Sequence, residues 1–282
     1  MSTNDAARNW LQYTHLEKVY GYLPGIHRAL PGIFDMTPEE YEETRQSFET
    51  AARAAASELL RDERVADLVD TLPVRAGQRI LAVGDSITDD LQSWAEILRH
   101  LLQIRRSEDA ITVINAGLSA HTTAMVLRRW PATLAAKPDL VICALGGNDV
   151  TRVGPDALKS QVSLSETLAN LRELRRIADA LTTTAWVWMT PVPVHEERVA
   201  NFDPFKFGLS TWRNADITAL AEAVLTFDDP VVDLVSTFGV PADPRLQGPD
   251  GVHASLTGQM AITRALLERL GVHADRGEKG NP

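Results

Sequence analysis

The stretch Arg79-Ile80-Leu81-Ala82-Val83-Gly84-Asp85-Ser86-Ile87-Thr88 decides how the rest of the chain is read. Ile80 to Val83 is a short apolar run closed by a glycine, the pattern of a buried strand. Behind it, from Asp89 to Gln103, Leu91, Trp94, Ala95, Leu98, Leu101 and Leu102 recur at helical spacing and predict a helix. Ser86 therefore falls in the turn between the carboxyl end of a strand and the amino end of a helix. There the helix dipole and free backbone N–H groups favour developing negative charge, which suits a nucleophilic serine. A serine at such a turn also serves as an ordinary helix cap, and the turn by itself does not choose between the two.

Outward from this stretch the chain alternates. Strand-like runs fall at 79–83, 111–115, 139–145, 185–190 and 231–235, with helical runs between them at 89–103, 121–136, 157–182 and 211–226. Such alternation predicts an α/β fold, a parallel sheet covered by helices on both faces. Ligands collect at the carboxyl ends of the strands in such sheets. Ser86 follows the first run, Gly117 the second and Asn148 the third, while Asp250 and His253 follow the fifth. All of them are thus expected on one edge of the sheet.

Four blocks carry the chemistry. They are Gly84-Asp85-Ser86-Ile87-Thr88, Asn115-Ala116-Gly117, Gly146-Gly147-Asn148-Asp149 and Asp250-Gly251-Val252-His253. In this order the chain resembles the SGNH (GDSL) hydrolase superfamily. The resemblance implies a flavodoxin-like, doubly wound five-stranded parallel sheet and a serine esterase working through an acyl-enzyme on Ser86. It assigns His253 as base, Asp250 as the group that orients it, and an oxyanion hole to the Ser86 N–H, the Gly117 N–H and the Asn148 side chain. The residue types suit those parts. Acyl transfer through serine needs a base, a group that orients it and donors for the oxyanion. A glycine at 117 lets backbone approach closely, and an amide at 148 donates without a titratable charge. One departure stands out: Ala120-His121 occupies a place where family members more often show a glycine followed by an acidic residue. His121 is the rival base, but no carboxylate stands at matching spacing. The alternative functions are an acyltransferase or thioesterase using the same acyl-enzyme, and a non-catalytic carbohydrate- or lipid-binding module.

The remaining features bound this reading. With 282 residues and 44% hydrophobic content the chain holds one ample core, and a net charge of −10 argues against nucleic acid as a partner. The single cysteine, Cys143, lies in an apolar run and reads as an inert buried thiol. Met1 to Asn9 is polar, and no eighteen apolar residues run together, so a cytoplasmic protein without a membrane span is expected. No glycine-rich phosphate loop and no metal-ligand spacing appears, so neither cofactor nor metal is expected, only a small-molecule ester. Oligomeric state is not legible.

Residues 1–75 read as a helical extension, 76–271 as the hydrolase domain and 272–282 as a flexible tail. Within the extension, Trp10 to Leu30 is expected to be irregular with one short helix. Thr37-Pro38-Glu39-Glu40 is a strong helix start, followed by an apolar face of Tyr41, Phe48, Ala52, Ala55 and Leu59. A second helical piece, 63–72, stops at Pro73. The extension is expected to pack on the core, the alternative being a wall or lid over the active site. Pro191 to Ser210 is the longest irregular stretch inside the domain. Its Phe202, Phe205 and Phe207, with Trp212 and Asp85, are expected to line the substrate pocket. Trp186 and Trp188 share one strand face and read as core, while Asp85 and Asp149 are expected to brace their turns.

Overall fold

A computed structural model describes residues 3–277, with side chains over 7–271. Five helices precede the sheet: α1 (Thr3–Tyr13), α2 (Leu16–Tyr20), α3 (Ile26–Ile33), α4 (Pro38–Leu59) and α5 (Glu63–Asp70). Then come β1 (Arg79–Gly84), α6 (Ser86–Asp89), α7 (Trp94–Arg105), β2 (Thr112–Asn115), α8 (Thr123–Leu134) and β3 (Leu140–Ala144). A two-residue strand β4 (Arg152–Val153) leads to α9 (Leu164–Leu181) and β5 (Ala185–Met189). After β5 lie α10 (Glu196–Asn201), α11 (Asp203–Phe207), β6 (Ser210–Thr211) and α12 (Asn214–Val224). The chain ends with β7 (Val231–Val232), α13 (Leu234–Phe238) and α14 (Leu256–Gly277).

The main sheet has the order β2-β1-β3-β5-β7, every pair parallel. Leu81 pairs with Ile114 on one side and Val141 on the other, and Val141 with Trp186. The first strand is interior, as a flavodoxin-like order requires. β4 and β6 form a small antiparallel ribbon apart from it.

Because strand side chains alternate, the sheet feeds two cores. Ile80, Ala82, Ile142, Val187 and Met189 point to one face and pack with α4, α5, α7 and α14 through Ala52, Val65, Leu98 and Leu266. Leu81, Val83, Cys143, Trp186 and Trp188 point to the other and meet Trp130 of α8, Leu174 of α9 and Leu220 of α12. Both faces being covered explains why the strands read as continuous apolar runs. The two tryptophans of β5 are core residues, their rings 4.9 Å apart. Cys143 is fully buried, and burial pushes its thiol pKa far up.

α4 begins where the capping pattern places it. Thr37 Oγ1 accepts from the Glu40 N–H at 3.2 Å, and Glu40 Oε2 accepts from the Thr37 N–H at 2.8 Å. All five residues of its expected apolar face are buried. α4 and α5 thus share the sheet's own core.

Several expectations are corrected. Trp10 to Leu30 is not irregular: it contributes to three helices, α1 to α3. Gly21, Gly25 and Pro31 hide them, yet Leu11, Ile26 and Leu30 bury themselves with Phe34 and Tyr41 in a small core of their own. Tertiary burial outweighs the poor local propensity there. The helix expected over 89–103 is two helices, because Ser93 caps α7 by accepting from the Glu96 N–H at 3.4 Å. Likewise the helix expected from 157 starts only at Leu164, where Ser163 accepts from the Glu166 N–H. Pro191 to Ser210 contains α10 and α11, and the strand expected over 231–235 ends at Val232 because Asp233 caps α13. α14 continues past residue 271 to Gly277, and the last five residues of the expected tail lie outside the described residues. Among the described residues no helix is long and apolar enough to cross a membrane.

Candidate active site

The turn after β1 separates capping from chemistry. Asp85, not Ser86, caps α6: its Oδ1 accepts from the Ile87 N–H at 3.0 Å. Ser86 is the first residue of that helix, so its N–H has no acceptor within the helix and its hydroxyl is released from capping. The Ser86 Oγ lies 2.9 Å from His253 Nε2.

His253 comes from the loop before α14. Its Nδ1 stands 2.5 Å from Asp250 Oδ2, while Asp250 Oδ1 accepts from the N–H groups of Val252 and His253, each at 2.9 Å. One carboxylate therefore holds both the loop and the ring it carries. Gly251 makes so tight a loop possible, with φ of +77° and a position where a Cβ would lie 2.6 Å from the His195 carbonyl oxygen. Burial disfavours a charged His253, but Asp250, Asp90 and Asp85 outweigh it and raise the pKa above the ordinary histidine value. For Asp250 burial acts upward, and His253 with the loop N–H groups carries the carboxyl below its usual range. Asp85 and Asp90 also accept hydrogen bonds and feel His253, but burial outweighs these and pushes each up to about 6.

The other side of Ser86 is formed by the ends of β2 and β3. Gly117 packs so closely on α6 that a Cβ would lie 2.5 Å from the Asp89 nitrogen. Its N–H donates to Asn115 Oδ1 at 3.0 Å, and the Asn115 amide donates to the Thr88 carbonyl at 2.7 Å. Asn148 Nδ2 donates to the His121 carbonyl at 3.3 Å, which leaves its second amide hydrogen for another acceptor. His121 thus takes part through its backbone. Its ring Nδ1 is buried without a hydrogen-bond partner, and burial, then Arg129, holds its pKa low. Ala120 sits in the left-handed region at φ +63°, so the chain keeps a glycine-like turn there without a glycine. Asp149 reaches beyond its own loop and accepts from the N–H and hydroxyl of Thr123 and from the Thr167 hydroxyl, pinning the starts of α8 and α9.

An apolar cavity opens beside Ser86, Asp85 and Asn148, bordered by Leu145, Val192, Val194, Trp212 and Val252. Trp212 is fixed there by its indole N–H, which donates to the Gly147 carbonyl at 3.0 Å. The expected pocket aromatics do not all reach it. Phe205 packs at a tilt behind Trp212, and Phe202 packs edge-on behind Phe205, so they support the wall without bordering the cavity. Phe207 is 94% exposed and points to solvent. α11 is the physical reason: in a helix Phe205 and Phe207 lie on opposing sides, and only one can face inward.

Sequence reasoning missed Gln12, Tyr13, His15 and Lys18. The Tyr13 ring stacks on the His253 imidazole with centroids 4.4 Å apart and planes 28° from parallel. Gln12 donates to Asp90, while His15 and Lys18 meet the buried Asp89 carboxylate. No local pattern marks residues so far from the blocks they touch. Among the described residues no group of three His, Cys, Asp or Glu side chains is placed to hold a metal.

Comparison with known proteins gives the family. The model of the GDSL-like lipase/acylhydrolase family matches residues 82–261, and the chain belongs to that family. It is a carboxylic ester hydrolase of the SGNH type. An acetylxylan esterase from Geobacillus stearothermophilus is 28% identical over 220 residues, which is 71% of this chain and 97% of that protein. Its crystal structure superposes with a TM-score of 0.52 at 26% identity over the same shares of the two chains. Esterase TesA from Pseudomonas aeruginosa is 36% identical over 124 residues, 41% of this chain and 57% of that protein.

Proposed function

We propose that this esterase cleaves a small carboxylic ester through an acyl-enzyme on Ser86, with His253 as base and Asp250 orienting it. The observation that carries the reading is the unbroken line from Ser86 Oγ to His253 Nε2 at 2.9 Å and from His253 Nδ1 to Asp250 at 2.5 Å. In the first half-reaction Ser86 Oγ attacks the ester carbonyl carbon while its proton passes to His253 Nε2. Asp250 holds Nδ1–H, keeps the productive tautomer and stabilises the imidazolium. The oxyanion takes hydrogen bonds from the Ser86 N–H, the Gly117 N–H and the free hydrogen of the Asn148 amide. Collapse expels the alcohol, which leaves with the proton from Nε2. Water then attacks the acyl-enzyme, losing its proton to the same nitrogen, and the acid departs as Ser86 is reprotonated.

The acyl group occupies the apolar cavity beside Ser86, whose Leu145, Val192, Val194 and Trp212 offer nothing to a charged group. The alcohol leaves on the His253 side. The acetylxylan esterase relative supports a short acyl group on a sugar or other small alcohol. The test is covalent labelling. A fluorophosphonate is expected to modify Ser86 alone, as read by mass spectrometry, and labelling that survives Ser86→Ala would overturn the assignment. A screen of p-nitrophenyl esters then reads acyl length, with turnover expected to fall as the chain outgrows the cavity.

A further inference from the structure

We propose that Tyr13, from the helical extension, is a positioning residue for the His253 base. The inference rests on the serine-esterase reading above and adds a part that lies outside the family-matched residues 82–261. The geometric need is specific. Asp250 at Nδ1 and Ser86 at Nε2 both bond in the plane of the imidazole. Two in-plane bonds fix the line through the nitrogens but leave the ring free to tilt about that line. A flat surface against the ring face removes this freedom, and the Tyr13 ring lies there, 4.4 Å away and near parallel. It also covers that face of the base against water.

Tyr13 is itself held in place, as a positioning group must be. Its carbonyl accepts from the Ser119 hydroxyl, and its phenol oxygen accepts from Gln12 Nε2 at 3.2 Å. Gln12 in turn is fastened to the turn after α6: its carbonyl accepts from the Leu91 N–H at 3.1 Å and its amide donates to Asp90 Oδ1 at 2.9 Å. Asp90 is 1% exposed and also accepts from Gln259 of α14, the helix that follows His253. Two residues beyond Tyr13, His15 Nδ1 meets Asp89 Oδ1 at 2.7 Å, and Lys18 Nζ meets the same oxygen at 2.5 Å. Asp89 belongs to the same short helix as Ser86 and also accepts from Ser119 in the Gly117 loop. The segment 12–18 therefore ties the base, the nucleophile's helix and the Gly117 loop into one unit.

The experiment compares Tyr13→Phe, which keeps the ring, with Tyr13→Leu, which keeps bulk and loses it. Misplacing a reacting group by about an ångström costs on the order of 100-fold, so Tyr13→Leu is expected to lower kcat by about 10- to 100-fold. KM and melting temperature should hold, and the rate of fluorophosphonate labelling at Ser86 should fall in parallel. Tyr13→Phe is expected to retain wild-type kcat. A spectroscopic signature tests the stack directly. The carbon-bound ring protons of His253 lie over an aromatic face and should resonate upfield in the folded wild type relative to the urea-unfolded protein. That displacement is expected to persist in Tyr13→Phe and vanish in Tyr13→Leu. Unshifted His253 signals in the wild type would overturn the proposal however either variant folds. Unchanged kcat in Tyr13→Leu, or a rise in KM alone, would also overturn it, the latter by placing the ring against substrate. Loss of Ser86 labelling in the wild type would instead sink the esterase reading and leave the ring shift as it is.

Discussion

On one side of Ser86 the His253 imidazole stands 2.9 Å from Oγ with its other nitrogen on Asp250, whereas on the other side the Gly117 N–H and one Asn148 hydrogen already have acceptors. The Gly117 N–H rests on Asn115 Oδ1 at 3.0 Å, and one Asn148 hydrogen rests on the His121 carbonyl at 3.3 Å. In the proposed mechanism the difference follows from what each side does. The base and its carboxylate act on a proton that is present before substrate arrives, so they are assembled in the resting protein. Oxyanion donors have no partner until a carbonyl enters, and a partly buried donor without an acceptor is costly. The Gly117 and Asn148 donors are therefore parked on the protein's own oxygens. Asn148 keeps a second hydrogen and is ready at once, while Gly117 has one hydrogen and must share it or release Asn115.

The largest effect is expected on the assembled side. Asp250→Asn should lower kcat by about 10⁴-fold, through the wrong histidine tautomer and a lost counter-charge. It should also move the pH profile toward acid. As the proposed base, His253 must be neutral to accept a proton, and its pKa is raised because its carboxylate neighbours outweigh burial. The acid limb of kcat/KM in the wild type should therefore lie above the ordinary value of about 6.5. Removing the Asp250 charge leaves burial with less opposition, so the limb should shift toward acid. A variant with an unmoved limb would mean that Asp250 does not set the state of the base.

The parked side should respond differently. Asn148→Ala is expected to cost about 10²–10³ in kcat, the usual loss for one oxyanion donor, with KM nearly constant. Its acid limb should coincide with that of the wild type, since an amide contributes no charge to His253. Measuring both limbs separates the two sides by more than magnitude. If Asn148→Ala moved the limb, or kept full turnover while folded, the division between proton transfer and oxyanion binding would fail.

How far these parts were visible in the sequence follows the same physical divide. Short-range order leaves a local record. The apolar runs of β1, β3 and β5, the capping residues Thr37 and Glu40, and the Asp250-Gly251-Val252-His253 loop were all legible, because each is made by neighbours in the chain. Topology then brought the blocks to one edge of the sheet without any further information. The break between α6 and α7 was written in Ser93 and Glu96 but masked by the apolar spacing that runs across it. The Tyr13–His253 stack left no record. It joins α1 to the loop before α14, near opposite ends of the chain, through one ring contact, and Gly21, Gly25 and Pro31 obscure the neighbouring α2 and α3. The aromatics around α11 misled for a related reason: Phe202, Phe205 and Phe207 are close in sequence, but only helix geometry decides which faces inward.

The smallest effect concerns Ala120, and it asks how rigidly the parked donors are held. Ala120 lies at φ +63° immediately before His121, whose carbonyl carries Asn148. A left-handed alanine costs roughly 1–2 kcal/mol relative to its ordinary conformations, and glycine adopts the same angles without that cost. Against this, glycine brings extra freedom to the unfolded chain, worth about 0.4–1 kcal/mol. The net expectation for Ala120→Gly is a gain of about 0–1.6 kcal/mol, or a melting temperature higher by up to roughly 4 °C. Calorimetry reads this directly. Turnover should stay close to wild type, because the His121 carbonyl is also placed by its own N–H, which donates to Leu118 at 3.2 Å, and by the start of α8 at Thr123, pinned to Asp149. A variant that gained stability but lost turnover would show that the strained turn itself holds Asn148 in line. The parked side would then be as strictly set as the side of His253, and the contrast between them would reduce to hydrogen-bond count.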